Sequence, residues 1–278
     1  MVSLAWSLWL GCGPERPVLQ VKGSDTLVNL MVRLSETYAA DPLRPAVAVS
    51  GGGTGTGLAA ITDGTTDFAS ASREIKPREL STAAARGRRP IGTVIAHDGL
   101  SIYVNRDNPV AGLTVADLRC IYAKGGACRR WSNLGVALDC RGNDEIVRIG
   151  RQNNSGTYEY FREIVLGNDG YFASTMDQSG TQQVVDVIGT VPCAIGYGGM
   201  GYATEHARFV CLARAPGEPC VEPTIEAVTR RAYPFSRPLY LYSDGEPTGD
   251  RRDFLAWVLG PAGQRLVLDA GFVPVAAP

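Results

Sequence analysis

Three times in this chain an apolar, strand-like run ends in a turn of glycines and hydroxyls and passes into a helical segment. Residues 18–21 lead into Lys22-Gly23-Ser24-Asp25-Thr26. Residues 46–49 lead into Ser50-Gly51-Gly52-Gly53-Thr54-Gly55-Thr56-Gly57. Residues 146–150 lead into Arg151-Gln152-Asn153-Asn154-Ser155-Gly156-Thr157. After the first turn, Leu27, Leu30, Met31, Leu34 and Tyr38 recur at helical spacing, and Asp41-Pro42 ends that helix. A short helix through Leu58-Ala59-Ala60-Ile61 follows the second turn, and residues 158–162 read as the first turn of a helix after the third. A further strand is expected over 65–73. Strand, turn, helix and strand at this pace predict an α/β architecture with a parallel sheet. Ligands of open α/β sheets sit at the carboxyl ends of the strands, which is where all three turns fall.

The chemistry of the turns narrows the ligand. Unpaired N–H groups at a helix start carry partial positive charge and favour an anion. Arg151 adds a planar fork suited to a tetrahedral oxyanion, and Ser155, Gly156 and Thr157 add two hydroxyls and a hinge. The 50–57 loop is not a Walker loop, because no Gly-Lys-Ser/Thr follows. It also lacks the acidic residue expected downstream of a dinucleotide fingerprint. Asp67, beside Ser70, Ser72 and Arg73, is expected to accept a hydrogen bond from a protonated oxyanion. Hydrogen phosphate can donate that bond and fully ionised sulfate cannot, so Asp67 would separate the two.

Bulk properties exclude other classes. The 278 residues are 45% hydrophobic with a net charge of −1, which gives no general attraction to nucleic acid or an acidic membrane. The arginines of 81–89 read as a solvated linker or exposed helix. Ser155 lacks the Gly-x-Ser-x-Gly frame of a hydrolase elbow, and the two histidines, His97 and His206, have no local nucleophile partner, so no catalytic residue is expected. The N-terminus is apolar up to Gly11-Cys12 and resembles the end of a lipoprotein signal, with Cys12 as the lipidated residue. It has no Lys or Arg before the apolar run, and that run is short. Six cysteines remain (Cys120, Cys128, Cys140, Cys193, Cys211 and Cys220), an even set that fits disulfides in an oxidising compartment. A local Cys211–Cys220 bridge is the first expectation, with Cys128 and Cys140 flanking another local loop. A zinc site is the rival, disfavoured because no Cys-x-x-Cys pair occurs.

Further along, strands are expected at 93–96, 100–104, 194–197 and 238–242, and helices at 184–188 and through Phe254, Leu255, Trp257, Val258 and Leu259. Thr114 is expected to cap a helix with Leu118, Ile121 and Tyr122 inward.

Taken in order, the Gly23-Ser24-Asp25-Thr26 loop, the 50–57 loop, Asp67 to Arg73, the 151–157 stretch, Ile195-Gly196-Tyr197 and the 233–240 block resemble the phosphate-binding proteins of bacterial phosphate ABC transporters, over about residues 18 to 275. The resemblance implies an α/β, type II periplasmic-binding-protein fold, with two lobes joined by two crossover strands near 95–104 and 231–242 and a cleft between them. Residues 1–17 would be a signal remnant and linker, 18–98 plus 236–278 one discontinuous lobe, and 99–235 the other. It implies a non-enzymatic protein, with no metal and no cofactor, that captures inorganic phosphate outside the cytoplasmic membrane and delivers it to permease subunits. The chain would be a monomer touching the membrane only through a lipid anchor. A binder or sensor of another oxyanion and a phosphatase are the alternatives. The matching ligand positions are Thr26, the backbone amide of Leu27, Thr54, Asp67, Arg151, Ser155, Gly156 and Thr157, with Ser24, Ser50 and Ser72 as further donors. Asp25 departs from the plain hydroxyl loop and would repel an anion unless it points away.

Overall fold

The apolar runs 93–96 and 100–104 form one strand rather than two, and that strand organises the molecule. The computed structural model describes residues 17–167 and 169–276, so Cys12 lies outside the described residues. The chain opens with β1 (Leu19–Gly23), α1 (Val28–Ala39), β2 (Val47–Ser50), α2 (Thr54–Asp63), β3 (Phe68–Ala71) and α3 (Pro77–Ala85). Next comes β4 (Pro90–Asn105), 16 residues long. It is followed by β5 (Gly112–Thr114), α4 (Val115–Tyr122), β6 (Val147–Arg151), α5 (Gly156–Phe161), β7 (Met176–Gln178), α6 (Thr181–Thr190), β8 (Ala194–Gly199), β9 (Ala207–Ala213) and α7 (Ile225–Thr229). The chain then returns through β10 (Ser236–Asp244), α8 (Asp250–Leu259), α9 (Pro261–Asp269) and β11 (Val273–Pro274).

The strand order is β2-β1-β3-β10-β4-β8-β6-β7. β1 pairs in parallel with β2 and β3, and β6 pairs in parallel with β7 and β8. β4 joins these two blocks. Its first part pairs antiparallel with β10 as far as Gly99↔Ser236. From Leu100 onward it pairs with β8, and from Ile102 also with β9. The polar residues at 97–99 do not break it, because Asp98 lies opposite Arg237 on β10 and bonds to it. The result is two α/β lobes on a shared strand.

Two main apolar cores form, and the first spans both blocks of the sheet, taking in Ile149 of β6 and Val184 and Ile188 of α6. Leu19, Val21, Leu30, Phe68, Phe254 and Val258 belong to the first; Ile102, Leu118, Tyr122, Trp131 and Phe161 belong to the second. Thr114 caps α4 as expected, accepting from the Asp117 amide at 3.1 Å. Three elements differ from the sequence reading. α2 starts at Thr54, so the glycine-rich loop is itself the first helical turn. Residues 77–85 form a helix because Pro77 sits in its first turn and Glu79 reaches back to the Lys76 amide at 2.8 Å. The C-terminal helix is followed by another, α9, because Gly260 interrupts it and Pro261 starts a new first turn.

The cysteines pair as Cys120–Cys128, Cys140–Cys193 and Cys211–Cys220. The local 211–220 bridge stands, but Cys128 and Cys140 are not partners. Cys140 instead reaches across 53 residues to the turn before β8. Among the described residues no cluster of three His, Cys, Asp or Glu side chains could hold a metal, and no helix is long and apolar enough to cross a membrane. In the loop-entropy treatment, the wider Cys140–Cys193 loop is worth about 4 kcal/mol and the narrow Cys211–Cys220 loop about 2.6 kcal/mol. Urea unfolding of the Cys140→Ser/Cys193→Ser and Cys211→Ser/Cys220→Ser double variants should therefore show the larger loss in the first.

Candidate functional site

The starts of α1, α2, α5 and α6 follow the carboxyl ends of β1, β2, β6 and β7, so strand polarity alone brings four helix N-termini to one seam. No side chain caps α1, α2 or α6. Ser155 caps α5, its Oγ accepting from the amides of Thr157 and Tyr158 at 3.2 and 3.4 Å. α5 is held by aromatic packing beneath the seam. Phe161 stacks on Tyr197 of β8 with centroids 4.0 Å apart, and Tyr158 stacks on Tyr171. The Tyr122 hydroxyl donates to the Ile195 carbonyl at 2.8 Å, tying α4 to the strand beside the site.

The two lobes meet through hydroxyls. Thr26 Oγ1 and Thr157 Oγ1 are 2.8 Å apart across the cleft. Thr54 Oγ1 lies 3.3 Å from Ser72 Oγ and accepts from the Ser72 amide at 3.1 Å. Thr26, Thr54, Ser72 and Thr157 are fully buried. Backbone closes the same seam: the Gly55 amide donates to the Asn154 carbonyl at 3.0 Å, and Asn154 Nδ2 donates to the Gly52 carbonyl at 2.8 Å. Gly53 must be glycine here. It has φ +90°, and an added Cβ would lie 2.7 Å from the Asn154 carbonyl oxygen.

Three buried arginines lie in or near this region, and their hydrogen bonds distinguish them. Arg148 donates to the carbonyls of Ile121, Ile146 and Cys128 and is a structural tie within the second lobe. Arg237 donates twice to Asp98 Oδ2, at 3.0 and 2.7 Å, to the Ser72 carbonyl, and to Thr157 Oγ1 at 3.0 Å. Asp98 is itself fully buried and also accepts from the Met200 amide at 3.0 Å. Arg151, fully buried, donates to Thr181 Oγ1 at 3.0 Å and to the Ser179 carbonyl at 2.9 Å. Asp25 approaches it only to 3.4 Å, and its Nε has no partner. Burial pulls the Arg151 pKa below the ordinary guanidinium value, and Asp25 pulls it back up. Thr157 and Thr181 therefore stand beside guanidinium donors, and one buried N–H of Arg151 is free to meet an acceptor.

The sequence-predicted residues divide as follows. Thr26, Thr54, Ser72, Arg151, Ser155, Gly156 and Thr157 come together at the seam. Ser24 is buried just behind it, its amide donating to the Ser70 carbonyl. The Leu27 amide donates to the Ser24 carbonyl at 3.0 Å, so it closes the turn rather than facing the cleft. Ser50 is exposed on β2. Asp67 does not reach the site. It precedes β3 at the amino end of the sheet, and its Oδ2 accepts from the Gln20 amide at 2.8 Å. It cannot read a proton on a ligand held at the other end of the strand. Asp25 does not leave the site: one carboxylate oxygen accepts from the Gly52 amide at 2.8 Å and the other lies 3.4 Å from Arg151 Nη2. Sequence reasoning missed Arg237, Asp98 and Thr181. For the first two a signal existed: each is a lone charge inside an apolar strand, which calls for a buried partner.

A family model described as a PBP superfamily domain matches residues 13–262. The fold is that of a substrate-binding protein solved with bound phosphate from Clostridium perfringens, with a TM-score of 0.81, 24% identity, and coverage of 94% of this chain and 100% of that one. It is likewise that of an ABC-type phosphate transport receptor from Vibrio cholerae, with a TM-score of 0.71, 22% identity, and coverage of 92% and 99%. The phosphate-binding protein PstS of Pseudomonas aeruginosa PAO1 is 32% identical over 266 residues, covering 92% of this chain and 82% of its own. The chain belongs to the PstS phosphate-binding proteins of the PBP superfamily.

Gly156 offers a direct test of how tightly the lobes meet. An added Cβ would lie 2.5 Å from Thr54 Oγ1 and 2.6 Å from Ser72 Oγ. Gly156→Ala is expected to leave the melting temperature of the ligand-free protein nearly unchanged while holding the lobes apart. Small-angle scattering would show this as a larger radius of gyration that does not shrink on adding phosphate.

Proposed function

We propose that this chain captures inorganic phosphate in the seam between its lobes and delivers it to the permease subunits of an ABC transporter. The observation that carries the reading is Arg151: a fully buried guanidinium with an unpaired Nε, among hydroxyls and three helix starts that no side chain caps. A tetrahedral oxyanion supplies acceptors for all of these at once. The PstS relatives support phosphate as that anion.

On this reading the ligand-binding set is Thr26, Thr54, Ser72, Arg151, Ser155, Gly156 and Thr157, joined by Arg237 and Thr181. Residues 18–98 with 236–278 form one lobe and 99–235 the other, and they close around the anion as a hinge. The protein binds and releases phosphate without transforming it, acts as a monomer, and works on the outer side of the cytoplasmic membrane, where its three disulfides persist. Cys12, by its signal-like context, is the site of a lipid anchor.

Titration calorimetry with phosphate, sulfate and molybdate tests this. One phosphate per chain is expected, bound far more tightly than the other two anions; equal binding of molybdate would favour the reading as a binder of another oxyanion. Arg151→Ala should weaken phosphate by about 2–5 kcal/mol, since it removes a buried, charge-assisted partner; near-wild-type affinity would put the anion elsewhere. Asp67→Asn should leave the phosphate-to-sulfate ratio unchanged, and a collapse of that ratio would restore the aspartate filter that the fold argues against.

A further inference from the structure

A cavity of about 620 Å³ lies beside the strand crossover and shares Arg237 with the hydroxyl seam. Its walls come from both lobes. Val94 and His97 of β4 and Val273 of β11 form one side; Arg214, Val228 and Arg231 form the other. Valines and prolines share the lining with polar groups, and the charged lining is cationic, with no Asp or Glu among its described lining residues. Among the described residues neither Arg214 nor Arg231 lies within salt-bridge distance of a carboxylate, whereas Arg237, also in the wall, is committed to Asp98.

Arg231 carries an unusual backbone. α7 ends in a Schellman turn: the Arg231 amide donates to the Val228 carbonyl at 3.0 Å and the Ala232 amide to the Ala227 carbonyl at 2.8 Å. The residue in the left-handed conformation of such a turn is usually glycine, which bears no Cβ penalty. Here it is Arg231, at φ +55°. The chain gives up the easy residue and places a cation at the cavity instead. That cation faces His97, whose pKa is lowered first by burial and then by Arg231.

We propose that this cavity binds an organic anion with an apolar body, one that lays its hydrophobic part on Val94, Val228 and Val273 and its charge between Arg214 and Arg231. The seam between the lobes is shut in this structure, so the cavity has its closed-state shape. A ligand that fits it favours the closed state, and by linkage it raises affinity at the seam.

The probe is naphthalene-1-sulfonate, titrated calorimetrically into the full chain with and without saturating phosphate. One-to-one binding is expected. The neutral isostere 1-naphthol should bind at least about tenfold more weakly, and inorganic sulfate, which lacks the apolar body, should not compete. Arg231→Gly separates function from fold: its melting temperature should hold or rise, because glycine suits the turn, while sulfonate affinity falls at least about tenfold. Absence of binding at millimolar sulfonate, several weak sites indifferent to Arg231→Gly, or equal binding of naphthol would each overturn the site. The coupling, which rests on the phosphate reading, predicts that saturating sulfonate lowers the phosphate dissociation constant at least about threefold; no change, or weaker phosphate binding, overturns the coupling. If phosphate does not bind at all, the sulfonate titrations on wild type and Arg231→Gly still decide the cavity.

Discussion

Burying the Arg151 guanidinium is the constraint on which the cleft depends. Taking a charge out of water costs several kcal/mol even after relaxation, and here its one carboxylate neighbour stands 3.4 Å away. Four helix N-termini point their positive ends at the same seam. Burial and the neighbouring Arg237 charge work against the Arg151 cation, and Asp25, Tyr197 and Tyr202 work for it. With an anion present the helix N-termini and the two arginines turn attractive, and the low dielectric of the closed seam strengthens each hydrogen bond. On the proposed reading, an anion adds to Asp25, Thr181 and the Ser179 carbonyl as a partner of the buried cation. An open site with a solvated Arg151 would bind more weakly and would have no reason to shut.

Arg237 solves the opposite problem. Its charge is matched inside the protein by Asp98, a pair with almost no exposure on either side. Removing one partner of such a pair typically costs about 3–5 kcal/mol, because the other is left buried and alone. The pair lies where β4 changes neighbours, just before Leu100 begins to pair with β8. It keeps β4 extended through a polar triplet, and it presents the Arg237 Nη2 donor to Thr157 on the opposing jaw. One ion pair thus fixes the crossover strand and links it to the ligand seam.

The legible part of the molecule was the local part. Thr26, Thr54, Arg151 and Thr157 sit in strand–turn–helix units, whose composition reveals both the helix start and its chemistry. Asp67 failed because the strand was drawn too long. β3 begins at Phe68, which leaves Asp67 five residues, or about 16 Å of extended chain, from Ser72 at the carboxyl end. The failures of omission share another cause. Asp98 meets Arg237 over 139 residues of sequence and Cys140 meets Cys193 over 53, and no local pattern encodes such encounters. What the sequence did carry was the anomaly of a charge in an apolar run, a sign that a partner exists without a sign of which one.

The two lobes are also built to different stiffness. All three disulfides, Cys120–Cys128, Cys140–Cys193 and Cys211–Cys220, lie in the lobe that carries Arg151. That lobe also holds the Tyr122, Phe161, Tyr171 and Tyr197 stack under α5. The jaw that bears Arg151 is thus cross-linked and aromatic-packed. Among the described residues the opposite lobe has no covalent tie, and its contribution is a set of short hydroxyls on helix starts. On the proposed reading the hinge is the crossover, where β4 passes between the two blocks of the sheet. Packed cores do not deform continuously, so in the hinge reading a jaw of this kind moves as a unit when an anion is bound.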